Sequence, residues 1–279
     1  MLIEQVTLAP FDATLTSLCL SNLSDLKLSP RRAVIVCPGG GYSALSHRED
    51  EVVAAQYLAA GFATFILHYS VKENAKNFQP LKEAALAIKH VREHAEHYNV
   101  DPNYIFITGF SAGGHLAASA GVFWDHPAVK EILGTEDTRV ARPTGMILCY
   151  PVITTGEYTH VHSTQRLCGK FDKDPIVTYT REEADQFSLE LHVKENTPPA
   201  FLWHTAADKA VPVENSLLFA GALSRAKVPF ELHIFPAGHH GLSLCNDQTA
   251  SGNEKNVIPH NACWIDLATR WARELTVET

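Results

Sequence analysis

The chain has 279 residues, 46% of them hydrophobic, with a net charge of −8 and six cysteines. That length suits one α/β enzyme domain with a large core. The acidic balance, with no Lys/Arg run against it, excludes a general nucleic-acid or anionic-membrane surface. Met1–Val6 lacks a basic region followed by a long apolar stretch, so it does not read as a signal peptide. No apolar run is long enough to span a bilayer.

Leu2–Leu8 and Thr14–Leu20 read as short strands around Ala9-Pro10-Phe11-Asp12, an antiparallel pair expected at one sheet edge. A loop at Ser29-Pro30-Arg31-Arg32 leads into Ala33–Cys37, apolar throughout as in a strand buried on both faces. Pro38-Gly39-Gly40-Gly41-Tyr42 is a glycine-rich loop at the end of that strand. Glu49–Ala60 reads as a helix stopped by Gly61, and Phe62–Leu67 as the next strand. Pro80 opens a helix whose apolar stripe is Leu81, Ala84, Ala85, Ile88 and Val91. Asn99–Pro102 turns the chain into the strand Tyr104–Ile107, which is followed by the helical stretch Leu116–Ala120. Gly145–Tyr150 is another buried strand. From about 152 to 199 the pattern weakens into polar loops and short helical pieces such as Arg181–Phe187. This segment is expected as a cap or lid insertion within a single domain of residues 1–279, because long irregular segments in compact domains are usually functional. Regularity returns with the strand Ala200–His204, the helix Val213–Ala226 and the half-exposed strand Phe230–Phe235. A polar loop, Asp247–Pro259, precedes a last helix from about Asn261, with Trp264, Leu267, Ala268 and Trp271 on one face. Strands alternating with helices predict an α/β fold, a mostly parallel sheet covered on both sides.

The cysteines follow no metal-ligand or disulfide-scaffold spacing. Cys19, Cys37 and Cys149 lie in apolar runs and read as small buried hydrophobes in a reducing cytosol. A cytoplasmic location is the expectation.

Gly109-Phe110-Ser111-Ala112-Gly113 is Gly-x-Ser-x-Gly between a strand and a helix, the context of a nucleophile elbow. The turn is so tight that a β-carbon two residues to either side of the serine would collide with neighbouring elements. Serine needs a base, and the base needs a group that fixes its tautomer. Both are expected in loops at the C-terminal ends of strands. Thr205–Pro212 offers Asp208, with Glu214 in reserve. Pro236–Leu242 offers His240, which directly precedes Gly241, with His239 as its neighbour. Zinc binding by the pair is disfavoured, since adjacent residues rarely share a metal and no third ligand has suitable spacing. The N–H of Ala112 and that of Gly40 or Gly41 are the expected oxyanion donors, each worth on the order of 3 kcal/mol. A phosphate-loop reading of Gly39–Gly41 fails because the Lys-Ser/Thr ending is missing, and a dinucleotide reading because the last glycine is.

Taken together, Pro38–Tyr42, Gly109–His115, Asp208–Pro212 and Gly238–Gly241 resemble the α/β-hydrolase fold esterases of the hormone-sensitive-lipase-like and acetyl-xylan-esterase-like kind, which border on the prolyl oligopeptidase catalytic domain. The resemblance covers essentially the whole chain. It implies Ser111 as nucleophile, His240 as base, Asp208 as its partner and no cofactor. It also implies a small-molecule ester as substrate, with short acyl groups and acetylated sugars in its range. Some relatives assemble, which leaves a homo-oligomer open. Pro38 stands where the family's loop carries histidine, so that loop must be held differently. The alternatives are a small-peptide or aminoacyl-amide hydrolase and a catalytically inactive binding protein.

Overall fold

A computed structural model of the chain describes residues 1–21, 28–170 and 179–276. Eight strands form one sheet: β1 (Leu2–Thr7), β2 (Thr14–Cys19), β3 (Arg31–Cys37), β4 (Ala63–His68), β5 (Val100–Phe110), β6 (Gly145–Cys149), β7 (Ala200–Thr205) and β8 (Phe230–Phe235). Their order is β1-β2-β4-β3-β5-β6-β7-β8. β1 and β2 run antiparallel at one edge, and the other six are parallel. The helices are α1 (Glu51–Ala59), α2 (Gln79–Glu93), α3 (Ala95–Tyr98), α4 (Ala112–Val122), α5 (Pro127–Leu133), α6 (Val161–Leu167), α7 (Arg181–Asp185), α8 (Glu214–Arg225), α9 (Pro259–Ala262) and α10 (Trp264–Glu274).

The two faces of the sheet follow from the period of two along each strand. Ala33, Ile35, Ile105, Ile107, Met146, Leu148 and Leu202 point to one side and pack with Leu81 and Ile88 of α2, Leu116 of α4 and Phe219 of α8. Val34, Val36, Phe106, Ile147, Phe201 and Trp203 point to the other and pack with Val53 and Tyr57 of α1 and Trp264 and Ala268 of α10. Trp203 and Trp264 stack with centroids 5.3 Å apart. Both faces are covered, which is why the central strands read as unbroken apolar runs. β8, at the far edge, leaves Phe230 and Ile234 exposed.

Some boundaries differ from the sequence reading. β3 begins at Arg31 rather than Ala33, because Arg31 pairs with Val100 before a register shift. The helix expected from Glu49 begins at Glu51, after a 3-10 turn at His47–Glu49. The last helix is split into α9 and α10.

Topology positions the site. From β3 the chain moves through α1 to β4, then through α2 to β5 on the other side of β3. α1 and α4 therefore leave neighbouring strands toward opposite faces. A crevice opens where the winding reverses, at the C-terminal ends of β3 and β5. Cys37 pairs with Gly109 there, which sets the glycine-rich loop beside Ser111.

Among the described residues of 152–199, Ile153, Leu167, Phe187 and Leu189 join the core on the α2/α4/α8 side. Positions 171–178 of that segment lie outside the described residues. His115 of α4 ties the segment down. Its Nε2–H donates to the Phe187 carbonyl at 2.9 Å, so its Nδ1 accepts from the Tyr42 hydroxyl at 2.8 Å. Burial disfavours the imidazolium and pushes the His115 pKa down from 6.5 to about 4.

A folded-state pKa below the unfolded one means that acid protonates the unfolded chain first. The contribution of His115 is complete above pH 6.5 and falls by about 3 kcal/mol as pH drops to about 4. In denaturant titrations at several pH values, His115→Asn is expected to be less stable than wild type at pH 7. It should lose less stability than wild type between pH 6.5 and 4.

Candidate active site

Ser111 ends β5 and opens α4 with φ 54° and ψ −116°. Such a backbone costs a non-glycine residue about 1–3 kcal/mol and persists only when its surroundings fix it. Here they do. The Ser111 N–H donates to the Cys149 carbonyl, and the Ser111 carbonyl accepts from the N–H groups of His115 and Val152, each at 3.0 Å. A β-carbon on Gly109 would lie 2.0 Å from the Gly113 carbonyl oxygen, and one on Gly113 would lie 2.2 Å from that of Cys37. Only glycine fits either position.

His240 reaches Ser111 from the loop after β8, with Nε2 2.7 Å from the serine Oγ. Its Nδ1 lies 2.6 Å from Oδ2 of Asp208, in the loop after β7. The two loops are tied by the Thr205 hydroxyl, which donates to the Gly238 carbonyl at 2.8 Å. Asp208 Oδ1 accepts the N–H groups of Ala210 and Val211 at 2.9 and 3.0 Å. Burial opposes the charge on Asp208. Contacts with the His204 and His240 side chains, the charge of His240 and the Val211 N–H outweigh it and hold the carboxyl well below the usual carboxylate range. With Asp208 anionic, Nδ1 of His240 carries the hydrogen and Nε2 offers its lone pair to the Ser111 hydroxyl. That tautomer can take a proton from serine.

Gly40 and Gly41 line the same cavity as Ser111 and His240, a space of about 410 Å³. Among the described residues, neither glycine N–H donates to an acceptor. The Ala112 N–H is the first of α4 and has no acceptor within its helix. These three groups can meet a developing oxyanion. The loop, with Pro38 in place of the histidine, is held from outside. The Tyr69 hydroxyl donates to the Pro38 carbonyl at 2.6 Å, and the Gly39 N–H donates to Oε2 of Glu49 at 2.9 Å.

The structure places two of the weighed candidates elsewhere. His239 is exposed and lies with Nδ1 2.7 Å from the His240 carbonyl oxygen, away from the serine. Glu214 opens α8 and makes no hydrogen bond to His240. Among the described residues, no group of three His, Cys, Asp or Glu side chains is spaced to hold a metal.

Three residues near the site escape the sequence reading. His204 is fully buried in β7, 3.4 Å from Asp208 Oδ2, and its Nε2–H donates to the Val211 carbonyl. His160 caps α6 beside the cavity. Glu49 is buried beneath the glycine loop. Its Oε1 accepts from the Tyr150 hydroxyl at 2.6 Å, and that hydroxyl accepts the Ser243 N–H at 2.8 Å. The Tyr150 ring packs edge-on to His240, with centroids 5.1 Å apart. One carboxylate thus joins the glycine loop to the loop that carries His240. Burial pushes the Glu49 pKa up, against the Tyr150 hydrogen bond, the nearby His240 and the Gly39 N–H. In sequence Glu49 resembles any acidic residue at a helix start, and no local signal marks it.

Residues 23–223 match the BD-FAE family model. The chain is 41% identical over 230 residues to endo-1,4-beta-xylanase B of Butyrivibrio fibrisolvens, covering 80% of this chain and 34% of that protein. It is 32% identical over 219 residues to an acetylxylan esterase of Xylanibacter ruminicola, covering 76% of this chain and 41% of that one. The chain therefore spans well under half the length of these two relatives. A crystal structure of an acetyl ester-xyloside bifunctional hydrolase from Caldicellulosiruptor lactoaceticus superimposes with a TM-score of 0.79 at 36% identity, covering 97% of this chain and 95% of that one.

Replacing Glu49 by Gln puts an amide NH₂ where a carboxylate now accepts from the Gly39 N–H or the Tyr150 hydroxyl. A fluorophosphonate probe, which reacts with activated serines, reads the result. Labelling of Ser111 is expected to slow by about 10²-fold, the scale of losing one oxyanion donor. An unchanged rate would show that Glu49 does not set the geometry of the loop.

Proposed function

The chain belongs to the BD-FAE family and has the α/β-hydrolase fold, and on that premise we propose that it is a serine carboxylesterase acting on short, acetyl-type esters, acetylated sugars among them. The observation that carries this reading is the hydrogen-bonded chain Ser111–His240–Asp208 beside unpaired backbone N–H groups in one cavity. The Ser111 hydroxyl attacks the ester carbonyl carbon as Nε2 of His240 takes its proton. Asp208 holds the resulting imidazolium in place. Negative charge on the carbonyl oxygen meets the N–H of Ala112 and that of Gly40 or Gly41. Collapse breaks the bond to the alcohol oxygen, which leaves with the proton from His240. Water then attacks the acyl-enzyme, gives its proton to His240, and releases the acid and free Ser111. No step needs a cofactor.

The match to a xylanase-named relative does not extend to glycoside chemistry in this cavity. Cleaving a glycosidic bond takes two carboxyl groups facing each other across the sugar, about 5–9.5 Å apart. Glu49 is the single carboxylate lining the cavity among the described residues, and both its oxygens are engaged.

No helix of the described residues is long and apolar enough to cross a membrane. The buried free thiols of Cys19, Cys37, Cys149 and Cys245 support a reducing compartment, and the cytoplasm is the location we propose. The open edge of β8, with Phe230 and Ile234 exposed, is the surface on which a second copy would pair.

Hydrolysis of p-nitrophenyl esters from acetyl to octanoyl tests the reading. Turnover should be highest on the shortest acyl groups. Ser111→Ala should lower kcat by about 10⁶-fold, as loss of the nucleophile does elsewhere. Equal turnover in wild type and variant would sink the serine-esterase reading, and cleavage of aminoacyl amides without esters would favour the peptide-hydrolase alternative.

A further inference from the structure

The cavity beside Ser111 is lined by two side chains with unpaired donors that the acyl-transfer steps do not use. The first is His160. Its Nδ1 accepts the Ser163 N–H at 3.4 Å, with the Ser163 Oγ at 2.8 Å. An accepting Nδ1 places the ring hydrogen on Nε2. Burial, and after it the nearby His240, push the His160 pKa down to about 4, so this neutral tautomer persists through the neutral range. The ring lies against the glycine loop, with Cε1 3.6 Å from where a β-carbon on Gly41 would sit. Among the described residues, Nε2 has no partner.

The second is Arg48. Its Nε donates to the Thr249 carbonyl at 2.6 Å, which anchors the side chain. Its Nη2 has no partner and is closed off from solvent, while the residue lines the same cavity, so an acceptor there meets this nitrogen when the guanidinium turns about its bond to Thr249. A buried donor that stays unpaired is costly and marks a place for an acceptor. The neighbouring Glu49 carboxylate offsets the charge of Arg48. The wall is therefore rich in donors without a large excess of positive charge, which suits neutral oxygens better than an anion.

We propose that His160 and Arg48 form a subsite for the alcohol part of the ester, their N–H groups donating to the hydroxyl and ring oxygens of a sugar. This rests on the acetyl-esterase reading and adds to it the residues that select the alcohol. A sugar fills both donors with acceptors. A plain aromatic or alkyl alcohol leaves both buried and unpaired, and discrimination arises from that difference.

The experiment compares kcat/KM on acetylated xylose with kcat/KM on p-nitrophenyl acetate, for wild type, His160→Ala, His160→Gln and Arg48→Met. The ratio of the two constants cancels any general damage to the serine, the base or the fold. It is expected to fall about 10-fold in His160→Ala and in Arg48→Met, the scale of one hydrogen bond. His160→Gln, which keeps an N–H donor at similar reach, should recover part of the loss. If wild type cleaves acetylated xylose and the ratio is the same in every variant, the subsite is wrong while the esterase reading stands. If wild type cleaves p-nitrophenyl acetate but no acetylated xylose, the sugar part of the proposed function fails and the subsite fails with it. If wild type cleaves neither, the esterase reading itself is overturned.

Discussion

The close approach of the β5–α4 turn to the end of β3 is the constraint on which the site depends. Gly113 sits where a β-carbon would strike the carbonyl oxygens of Cys37 and Pro38, and Gly109 where one would strike Gly113 itself. With both side chains absent, Ser111 can be forced into its left-handed conformation and its hydroxyl raised out of the sheet. The same contact fixes the distance between the glycine-rich loop and the serine. The His240 and Asp208 loops need only arrive from β8 and β7, whose parallel pairing delivers them to the same end of the sheet. Strain at one residue is thus sustained by contacts at the ends of three strands, β3, β5 and β6.

Much of this was readable in the sequence because it is encoded locally. Gly109, Ser111 and Gly113 mark their turn within five residues, although the clash that demands glycine at 113 is with the distant carbonyls of Cys37 and Pro38. Strand polarity, inferred from buried apolar runs, then tells which loops share an end. Asp208 and His240 followed from that placement rather than from their own neighbours. Glu49, His204 and His160 were not legible, and the reason is physical. Glu49 acquires its role from Tyr150, a hundred positions away, and from a backbone N–H that no residue type announces. His204 looks like one more member of an apolar strand, and its position behind Asp208 depends on how the next loop folds back over it. His160 lies in the stretch where periodicity fails. The boundary difference at β3 has the same origin, since Arg31 joins its strand through a partner at Val100.

The buried ionisable groups around the site are held in different charge states by similar means. Asp208 is surrounded by donors and keeps its charge against burial. His115, with both ring nitrogens partnered, and His160, with one, stay neutral because little compensates their burial. Glu49 lies between these cases, its desolvation opposed by Tyr150, His240 and the Gly39 N–H. Fixed protonation states fix which atoms donate and which accept. The cavity is therefore electrostatically organised before any substrate enters, which is the condition for transition-state charge to be stabilised without reorganisation.

The distribution of thiols has a consequence for following this protein in motion. Cys263 is exposed, whereas Cys19, Cys37, Cys149 and Cys245 are buried. Burial also pushes the pKa of Cys19 up to about 11 and that of Cys245 up to about 12, which keeps these thiols protonated and unreactive at neutral pH. The chain therefore carries its own gauge of local opening. Cys19 lies on the antiparallel edge strand pair and becomes modifiable when that edge peels away. Cys37 and Cys149 end β3 and β6 in the middle of the sheet, and a thiol reagent reaches them only when the central strands come apart.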